Sequence, residues 1–397
     1  PSSGYGSCSR PPSANEVHRG RYIGRMRFIR CAALLCLWAV CALGQAATIE
    51  RWPVVDGLDL KFDRLPADSG ISQTRAAQVL QDDQGFLWFG TQHGLSRYDG
   101  YGFKVYVNEP GRTDSLGGVF VYALFKDRDG ALWVGTDQSL DRYDAATETF
   151  RHYRLDAPQS VVIHISQDRS GMLWLSTAAG LIRLDPKTGA QRRYTHDDGV
   201  PGSLSSTDVK SSGEDRQGHF WVATAAGLDQ FDADAGRVRW HVPLPVPVRE
   251  FSFHEDRQGV FWVAFGTGNG LAILDRGTRR LQHLSFRDSE SAPAALTGVF
   301  AMLEARDGTM WFATMGSGLL KLDRDARRFV RYRWDPGQPG SIAGNRAIAL
   351  TQDAEGAIWV GLHALPPNRV MPEPPPFQAY LPGRAEPRGM AALRARL

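Results

Sequence analysis

Six polar residues, at positions that differ between otherwise similar segments, are candidates for binding a polar ligand. Planar amide, imidazole and carboxylate groups hydrogen-bond to hydroxyl groups, so the chemistry they predict is non-covalent recognition of a small polar molecule or an oligosaccharide. The alternative interpretation is that they are ordinary solvated loop residues. The candidate binding residues are Gln92, His93, Asp137, Gln138, Asn269 and Asn345.

Catalytic and metal-binding motifs offer no competing site. The 10 histidines show neither His-x-His nor His-Glu-x-x-His spacing, so no metal site is predicted. The glycine-rich residues 266–270 have no helix after them, which argues against a phosphate site. All 4 cysteines lie within the first 41 residues, so a disulfide framework is excluded elsewhere. We predict no catalytic residue and no cofactor, with a catalytic cluster assembled from several loops as the open alternative.

The candidate residues interrupt a repeat that is marked by tryptophan. Seven Trp residues stand 45, 41, 47, 41, 49 and 48 residues apart, each with a Gly three residues before it. An Asp lies six residues before the Trp in every repeat except the sixth, which has Ala305 there. The repeated residues are Trp88, Trp133, Trp174, Trp221, Trp262, Trp311 and Trp359, with Gly85, Gly130, Gly171, Gly218, Gly259, Gly308 and Gly356.

Each repeat contains four short β-type runs separated by turn residues, as in residues 119–155. Four strands at this period are typical of a β-propeller blade. A single four-stranded sheet cannot bury both of its faces, so the blades must stack in a ring. The predicted fold is therefore all-β, a β-propeller of about seven four-stranded blades. The Trp residues would pack between blades, and the Asp-x-x-Gly segments would form hairpin turns.

Closure of the ring is expected to be incomplete. Residues 60–65 resemble the outer strand of a repeat, such as residues 150–155, and would complete the last blade as a clasp. The seventh repeat keeps two strands, at residues 347–351 and 357–361, but residues 362–367 contain two prolines where a third strand should follow. The sequence thus predicts six complete blades and a partial seventh.

The two ends of the chain differ in composition from the repeats. Residues 26–47 combine a basic stretch, an apolar run and small residues, which predicts a secretory signal peptide. We interpret residues 1–25 as a non-native upstream segment and residues 366–397 as a disordered or frameshifted tail. The ends hold 11 of 46 basic and 3 of 43 acidic residues, which leaves residues 48–365, the propeller, with a net charge of −5. This acidic balance argues against a nucleic-acid partner.

The repeat phrase D-x-x-G-x-[LFIM]-W-[VFL]-G-T-x-x-G-L-x-R-Y-D is nearly complete in residues 82–99 and 127–144. It resembles the two-component regulator propeller repeat, and the Ser-Leu steps at residues 115–116 and 203–204 also resemble that family. Seven copies in register cover about residues 55–363. In this family such propellers form the extracytoplasmic sensing half of membrane receptors, whose output is a histidine kinase or a diguanylate cyclase.

The resemblance implies a periplasmic ligand-sensing propeller without enzymatic activity of its own. The chain would be a fragment of a receptor, and contact with the membrane would run only through the missing C-terminal part. The expected partner is a small polar or oligosaccharide ligand, and homodimerisation would belong to the full-length receptor. The alternative is a secreted propeller enzyme, either a glycan hydrolase or a lyase.

Overall fold

Of the 29 strands, 28 form seven four-stranded blades arranged as a β-propeller, which confirms the predicted fold class. The residues that the structure describes form no helix, and so they contain no helical segment that could span a bilayer. The computed structural model describes residues 49–66, 70–73, 75–157, 161–244, 250–266, 270–288 and 298–372, with the backbone alone for 49–51 and 285–288.

Six blades are built from four consecutive strands each, with neighbouring strands antiparallel and the first strand innermost. Blades 1 to 3 comprise β3 (Ala76–Gln81), β4 (Leu87–Thr91), β5 (Gly94–Tyr98), β6 (Phe103–Tyr106), β7 (Val121–Lys126), β8 (Leu132–Thr136), β9 (Leu140–Asp144), β10 (Thr149–Tyr153), β11 (Val162–Gln167), β12 (Leu173–Thr177), β13 (Gly180–Leu184) and β14 (Gln191–Tyr194). Blades 4 to 6 comprise β15 (Val209–Glu214), β16 (Phe220–Thr224), β17 (Gly227–Asp232), β18 (Arg237–Pro243), β19 (Phe251–Glu255), β20 (Phe261–Phe265), β21 (Leu271–Asp275), β22 (Arg280–Asp288), β23 (Val299–Glu304), β24 (Met310–Thr314), β25 (Leu319–Asp323) and β26 (Arg328–Tyr332).

The seventh blade joins an early strand to the last strands and has four strands, which corrects the expectation of a partial blade. Its third strand has 3 residues and begins directly after the two prolines. Val370 in that strand is fully buried and lies opposite both Ile358 and Phe62, so the apolar pattern of the blade resumes there. The propeller therefore extends past residue 365, and residues 373–397 of the predicted tail lie outside the described residues. The strands are β27 (Ala347–Gln352), β28 (Ile358–Leu362), β29 (Asn368–Val370) and β2 (Phe62–Arg64), which acts as the clasp.

A strand that the sequence analysis did not predict, β1 (Ile49–Asp56), joins blades 5 and 6. It lies between their outer strands and pairs in parallel with β22 and with β26. Trp52 of β1 is 9% exposed, and its ring centroid lies 6.5 Å from that of Trp262 and 5.5 Å from that of Phe329. Blades 5 and 6 consequently share one nine-stranded sheet.

One carboxylate organises the first hairpin of six blades. In blade 1, Oδ1 of Asp82 accepts the amides of Gln84 and Phe86, and Oδ2 accepts the indole N–H of Trp88 at 2.7 Å. Gly85 closes the turn at φ +90°, a conformation that other residues rarely adopt. Indole–carboxylate bonds of 2.7 to 2.9 Å recur in five further blades. Because all seven repeated Trp side chains are at most 4% exposed, this Asp supports the core between blades as well as the turn.

Blade 6 lacks this carboxylate because Ala305 stands in its place. Within the described residues, the indole Nε1 of Trp311 is buried and has no hydrogen-bond partner. We expect Ala305→Asp to raise the free energy of unfolding by about 1 kcal/mol, because it supplies the missing acceptor. The ammonium of Lys321, 5.6 Å from the Trp311 ring, would offset the added charge. Urea unfolding measures the gain, which should disappear in a Trp311→Phe background; an equal gain in both backgrounds would contradict this explanation.

Candidate functional site

The polar groups of the lower face of the ring are used to hold the blades together. This face carries the turns between first and second strands, whereas the upper face carries the turns between second and third strands and the connections between blades. The side chain of the residue that ends an inner strand accepts a hydrogen bond from a backbone amide of the preceding blade. For example, Oε1 of Gln167 accepts a bond from the amide of Arg128 at 3.0 Å. Equivalent bonds tie five other pairs of blades, and a Lys126–Asp83 ion pair ties the remaining pair.

A cleft of about 750 Å³ also opens on the lower face, between residues 55–59 and blade 6. Several of its charged groups already form ion pairs: Asp56 pairs with Arg331 at 2.8 Å and with Arg333 at 3.2 Å, and Asp323 pairs with Arg328 at 2.9 Å. Because these groups already have partners, the cleft is a weaker candidate for ligand binding.

Two of the predicted binding residues hold connecting segments of the upper face in place. Oδ1 of Asp137 accepts the amides of Val119 and Phe120, at 2.9 and 3.1 Å. Oδ1 of Asn345 accepts the amide of Trp334 at 2.7 Å, in the connection from blade 6 to blade 7. Both side chains therefore shape the upper face, whatever else they contact.

The other four predicted residues differ in their surroundings. Gln92 and His93 form the second turn of blade 1, and the residue after them donates its amide to the carbonyl of Val119 at 2.8 Å. This turn and Asp137 therefore contact the same connecting segment. Gln138 is exposed in the corresponding turn of blade 2, and Asn269 lies outside the described residues.

Phe120 and Tyr122 form an aromatic platform beside Asp137. Their rings stack with centroids 4.1 Å apart and planes inclined by 15°. The guanidinium of Arg75, from blade 1, lies 5.9 Å from the centroid of the Phe120 ring. Burial raises the pKa of the Tyr122 hydroxyl; the Asp137 carboxylate raises it further and Arg75 opposes the rise. The platform, the carboxylate and the guanidinium therefore lie within electrostatic reach of one another.

Two arginines and a histidine flank the platform on the side of blade 7. Within the described part of the chain neither Arg75 nor Arg346 forms an ion pair, although Nε of Arg346 contacts the sulfur of Met315 at 3.2 Å. Nε of Arg75, Nδ1 of His363 and Oε1 of Gln73 are buried and have no hydrogen-bond partner among the described residues. Burial lowers the pKa of His363, and the charges of Arg75 and Arg346 lower it further. The imidazole is therefore neutral at pH 7, whereas both guanidiniums are charged.

We call this surface the upper-rim strip. It extends over blades 7, 1 and 2 and ends at Trp334, which donates its backbone amide to Asn345 and is 47% exposed. Unpaired cations, stacked rings and unpartnered polar atoms can bind a ligand by charge, stacking and hydrogen bonds. The strip consists of Gln73, Arg75, Phe120, Tyr122, Asp137, Trp334, Asn345, Arg346 and His363.

Sequence reasoning missed Arg75, Phe120 and Arg346 although they occupy one repeat position. Each directly precedes the residue that begins an inner strand, and the upper ends of the inner strands surround the mouth of the central channel. The turns between second and third strands, which hold the candidates Gln92, His93, Asp137 and Gln138, lie farther from the centre. The signal that could have found these residues was the change of residue type at this one position from repeat to repeat.

A smaller polar cavity, of about 250 Å³, lies beside the inner strands of blades 3 to 5. Burial lowers the pKa of His164 in its wall to about 4, so this imidazole is neutral at pH 7. Nε2 of His254 lies 3.4 Å from Oε2 of Glu304. In the described ranges, no three His, Cys, Asp or Glu side chains are grouped so that they could hold a metal ion.

Residues 115–138, which include the first hairpin of blade 2, match the family model of the two component regulator propeller. These residues therefore carry one copy of the two component regulator propeller repeat. This match confirms the resemblance that the repeat phrase gave. A curated relative, Histidine kinase P4 of Formosa agariphila, is 43% identical to this chain over 47 residues, which are 12% of this chain and 3% of that kinase.

The structure of this chain is similar to the extracellular domains of two hybrid two component systems from B. thetaiotaomicron. The domain of BT3049 matches 80% of this chain with a TM-score of 0.68 and 24% identity. The domain of BT4673 also matches 80%, with a TM-score of 0.64 and 19% identity. The chain spans 42% and 40% of the length of those two domains.

The same fold also occurs in an enzyme. Virginiamycin B lyase from Staphylococcus aureus matches 79% of this chain and 99% of its own chain, with a TM-score of 0.60 and 14% identity. Because the same fold occurs in extracellular domains of two component systems and in a lyase, the fold alone does not decide the function, which depends on the site.

Proposed function

We propose that this propeller is the extracytoplasmic ligand-sensing domain of a membrane-bound signal-transduction receptor. In this proposal an N-terminal signal peptide directs the chain to the periplasm, and the upper-rim strip binds a small polar molecule or an oligosaccharide. The output of the whole receptor is a histidine kinase or a diguanylate cyclase. The observation that carries the proposal is the aromatic platform with two arginines free of ion pairs at the channel mouth.

Three further observations support a sensing role. The matched family is a propeller of two component regulators, and the similar solved domains are extracellular parts of hybrid two component systems. The lower face is occupied by ties between blades, which leaves the upper face for recognition. The strip is built from connections between blades, where repeat proteins vary without disturbing the shared core.

Truncation of the platform tests the proposal. We expect wild-type chain to bind at least one member of a saccharide panel in calorimetry, and Phe120→Ala to weaken that binding about tenfold. Tyr101→Ala is the matched control, because Tyr101 is 99% exposed in a lower-face turn and should not affect binding. If no saccharide binds to the wild type, or if both variants bind equally well, the upper-rim strip is not the sensing site.

A second candidate function is catalysis on a glycan, as a hydrolase or a lyase. The cavity beside blades 3 to 5 favours it, because His254 and Glu304 are close enough to exchange a proton. Incubation with polysaccharides would release new reducing ends for a hydrolase or unsaturated products for a lyase. Loss of that activity in His254→Ala would support catalysis, and no turnover of any polysaccharide by the wild type would argue against it.

A further inference from the structure

We propose that the upper-rim strip selects an anionic saccharide, one that carries a carboxylate or a sulfate group. The inference rests on the proposed function and deepens it by naming the charge of the ligand. It starts from a contrast between arginines of the same ring. Arg276 and Arg324 of the lower face are paired with the buried carboxylates of Asp215 and Asp256.

Arg75 and Arg346 have no such partner within the described residues. The carboxylate of Asp137, which acts on the Tyr122 hydroxyl together with Arg75, already accepts hydrogen bonds from two backbone amides through its Oδ1 atom. Two unneutralised guanidiniums therefore meet at the mouth of a propeller whose residues 48–365 carry a net charge of −5. The planar fork of a guanidinium matches a carboxylate or a sulfate, which it can bind through two parallel hydrogen bonds.

Other features of the strip fit a saccharide better than a bare inorganic anion. The stacked rings of Phe120 and Tyr122 offer an apolar wall of the kind that packs against the carbon face of a sugar ring. Oε1 of Gln73 and Nδ1 of His363 are buried without partners, and both are suited to hydroxyl groups. A ligand that combines one anionic group, several hydroxyls and a ring would satisfy all of these groups together.

Calorimetry with matched sugars tests the charge selectivity. The probes are a trisaccharide of galacturonic acid, its neutral galactose counterpart, a sulfated disaccharide and inorganic sulfate. We expect the anionic sugars to bind at least about tenfold more tightly than the neutral trisaccharide and than sulfate alone. Their affinity should fall when the salt concentration rises from about 0.05 M to about 0.5 M, because salt screens partly exposed charges.

Two charge-removing variants locate the selectivity. Arg75→Gln and Arg346→Gln should each weaken the anionic sugars about tenfold and weaken the neutral trisaccharide much less, because the neutral sugar has no charge for the guanidinium to bind. Arg75→Lys, which keeps the charge but not the fork, should retain part of the affinity. Arg193→Gln is the matched control, because Arg193 is exposed on β14, the outer strand of blade 3.

The outcomes separate this inference from the proposed function. Equal binding of the neutral and charged trisaccharides, or charged binding that is unchanged in both arginine variants, would overturn the anionic class and leave saccharide sensing intact. Binding of sulfate as tight as that of the anionic sugars would overturn the saccharide part. Failure of every probe to bind would contradict this inference, and failure of the wider saccharide panel would contradict the proposed function with it.

Discussion

Asp256→Ala should lower the free energy of unfolding by about 3 kcal/mol, because it leaves a half-buried guanidinium, a buried indole and two turn amides without their acceptor. Asp256 is fully buried, and its Oδ2 accepts the indole N–H of Trp262 at 2.7 Å and a bond from the guanidinium of Arg324. Its Oδ1 accepts two turn amides at 2.9 Å. The substitution therefore removes four hydrogen bonds, whereas Asp325→Ala, at an exposed site nearby, should have almost no effect in urea unfolding.

The effect of Asp256→Ala should also depend on pH. Burial alone would raise the pKa of this carboxyl, but the bonds from Trp262, Arg324 and the turn amides outweigh it and hold the pKa below its usual value. Since the folded-state pKa is the lower one, the ionised carboxylate stabilises the fold above the ordinary carboxyl pKa, and this contribution is lost as the pH falls through the folded-state value. The difference between wild type and variant should be full at pH 7 and shrink below about pH 4. An undiminished difference in strong acid would contradict the role of the charge.

Trp52→Ala should lower the free energy of unfolding by about 3 to 5 kcal/mol, because a large ring leaves a packed core. The cluster that it leaves includes Trp262, Phe312 and Phe329, from blades 5 and 6. Loss of the Trp52 anchor should also release β1 from the outer strands of both blades. The nine-stranded sheet would then separate into two blades with unpaired outer edges.

Hydrogen exchange measured by mass spectrometry can locate this release. Peptides from β1, β22 and β26 should exchange faster in Trp52→Ala, while those of blades 1 to 3 stay protected. Trp52→Phe is the control, because its smaller ring keeps most of the packing and the indole Nε1 of Trp52 has no hydrogen-bond partner within the described residues. Equally faster exchange in all blades, or unchanged exchange in β1, would contradict the proposal that Trp52 holds β1 locally between the outer strands of blades 5 and 6.

The ring could be predicted from the sequence because nearly every blade repeats the same motif of Asp, Gly and Trp at fixed spacing. Register, blade number and the clasp follow from that repetition. It did not predict β1, because its alternating residues belong to no repeat and their partners lie more than 200 positions away. The sequence also predicted too few strands in the seventh blade. Two prolines directly before β29 interrupt the strand pattern, and the burial of β29 depends on its pairing with β2.

The candidate site was only partly predictable. Asp137 and Asn345 were selected because they differ from their counterparts in other repeats, and both lie at the upper-rim strip. Arg75, Arg346 and His363 come together only because the ring closes, which brings blade 7 beside blade 1. Their proximity depends on the angles between blades, and no local sequence pattern encodes it.

We propose the upper-rim strip as the ligand-binding surface of the propeller. Hydrogen exchange of the purified chain, measured with and without the galacturonic acid trisaccharide, can show which surface the sugar covers. We expect slower exchange in residues 75–80, 119–124 and 344–350 when the sugar is bound, with the lower-face turns unchanged. Protection confined to the lower face, or to the cavity beside blades 3 to 5, would contradict it.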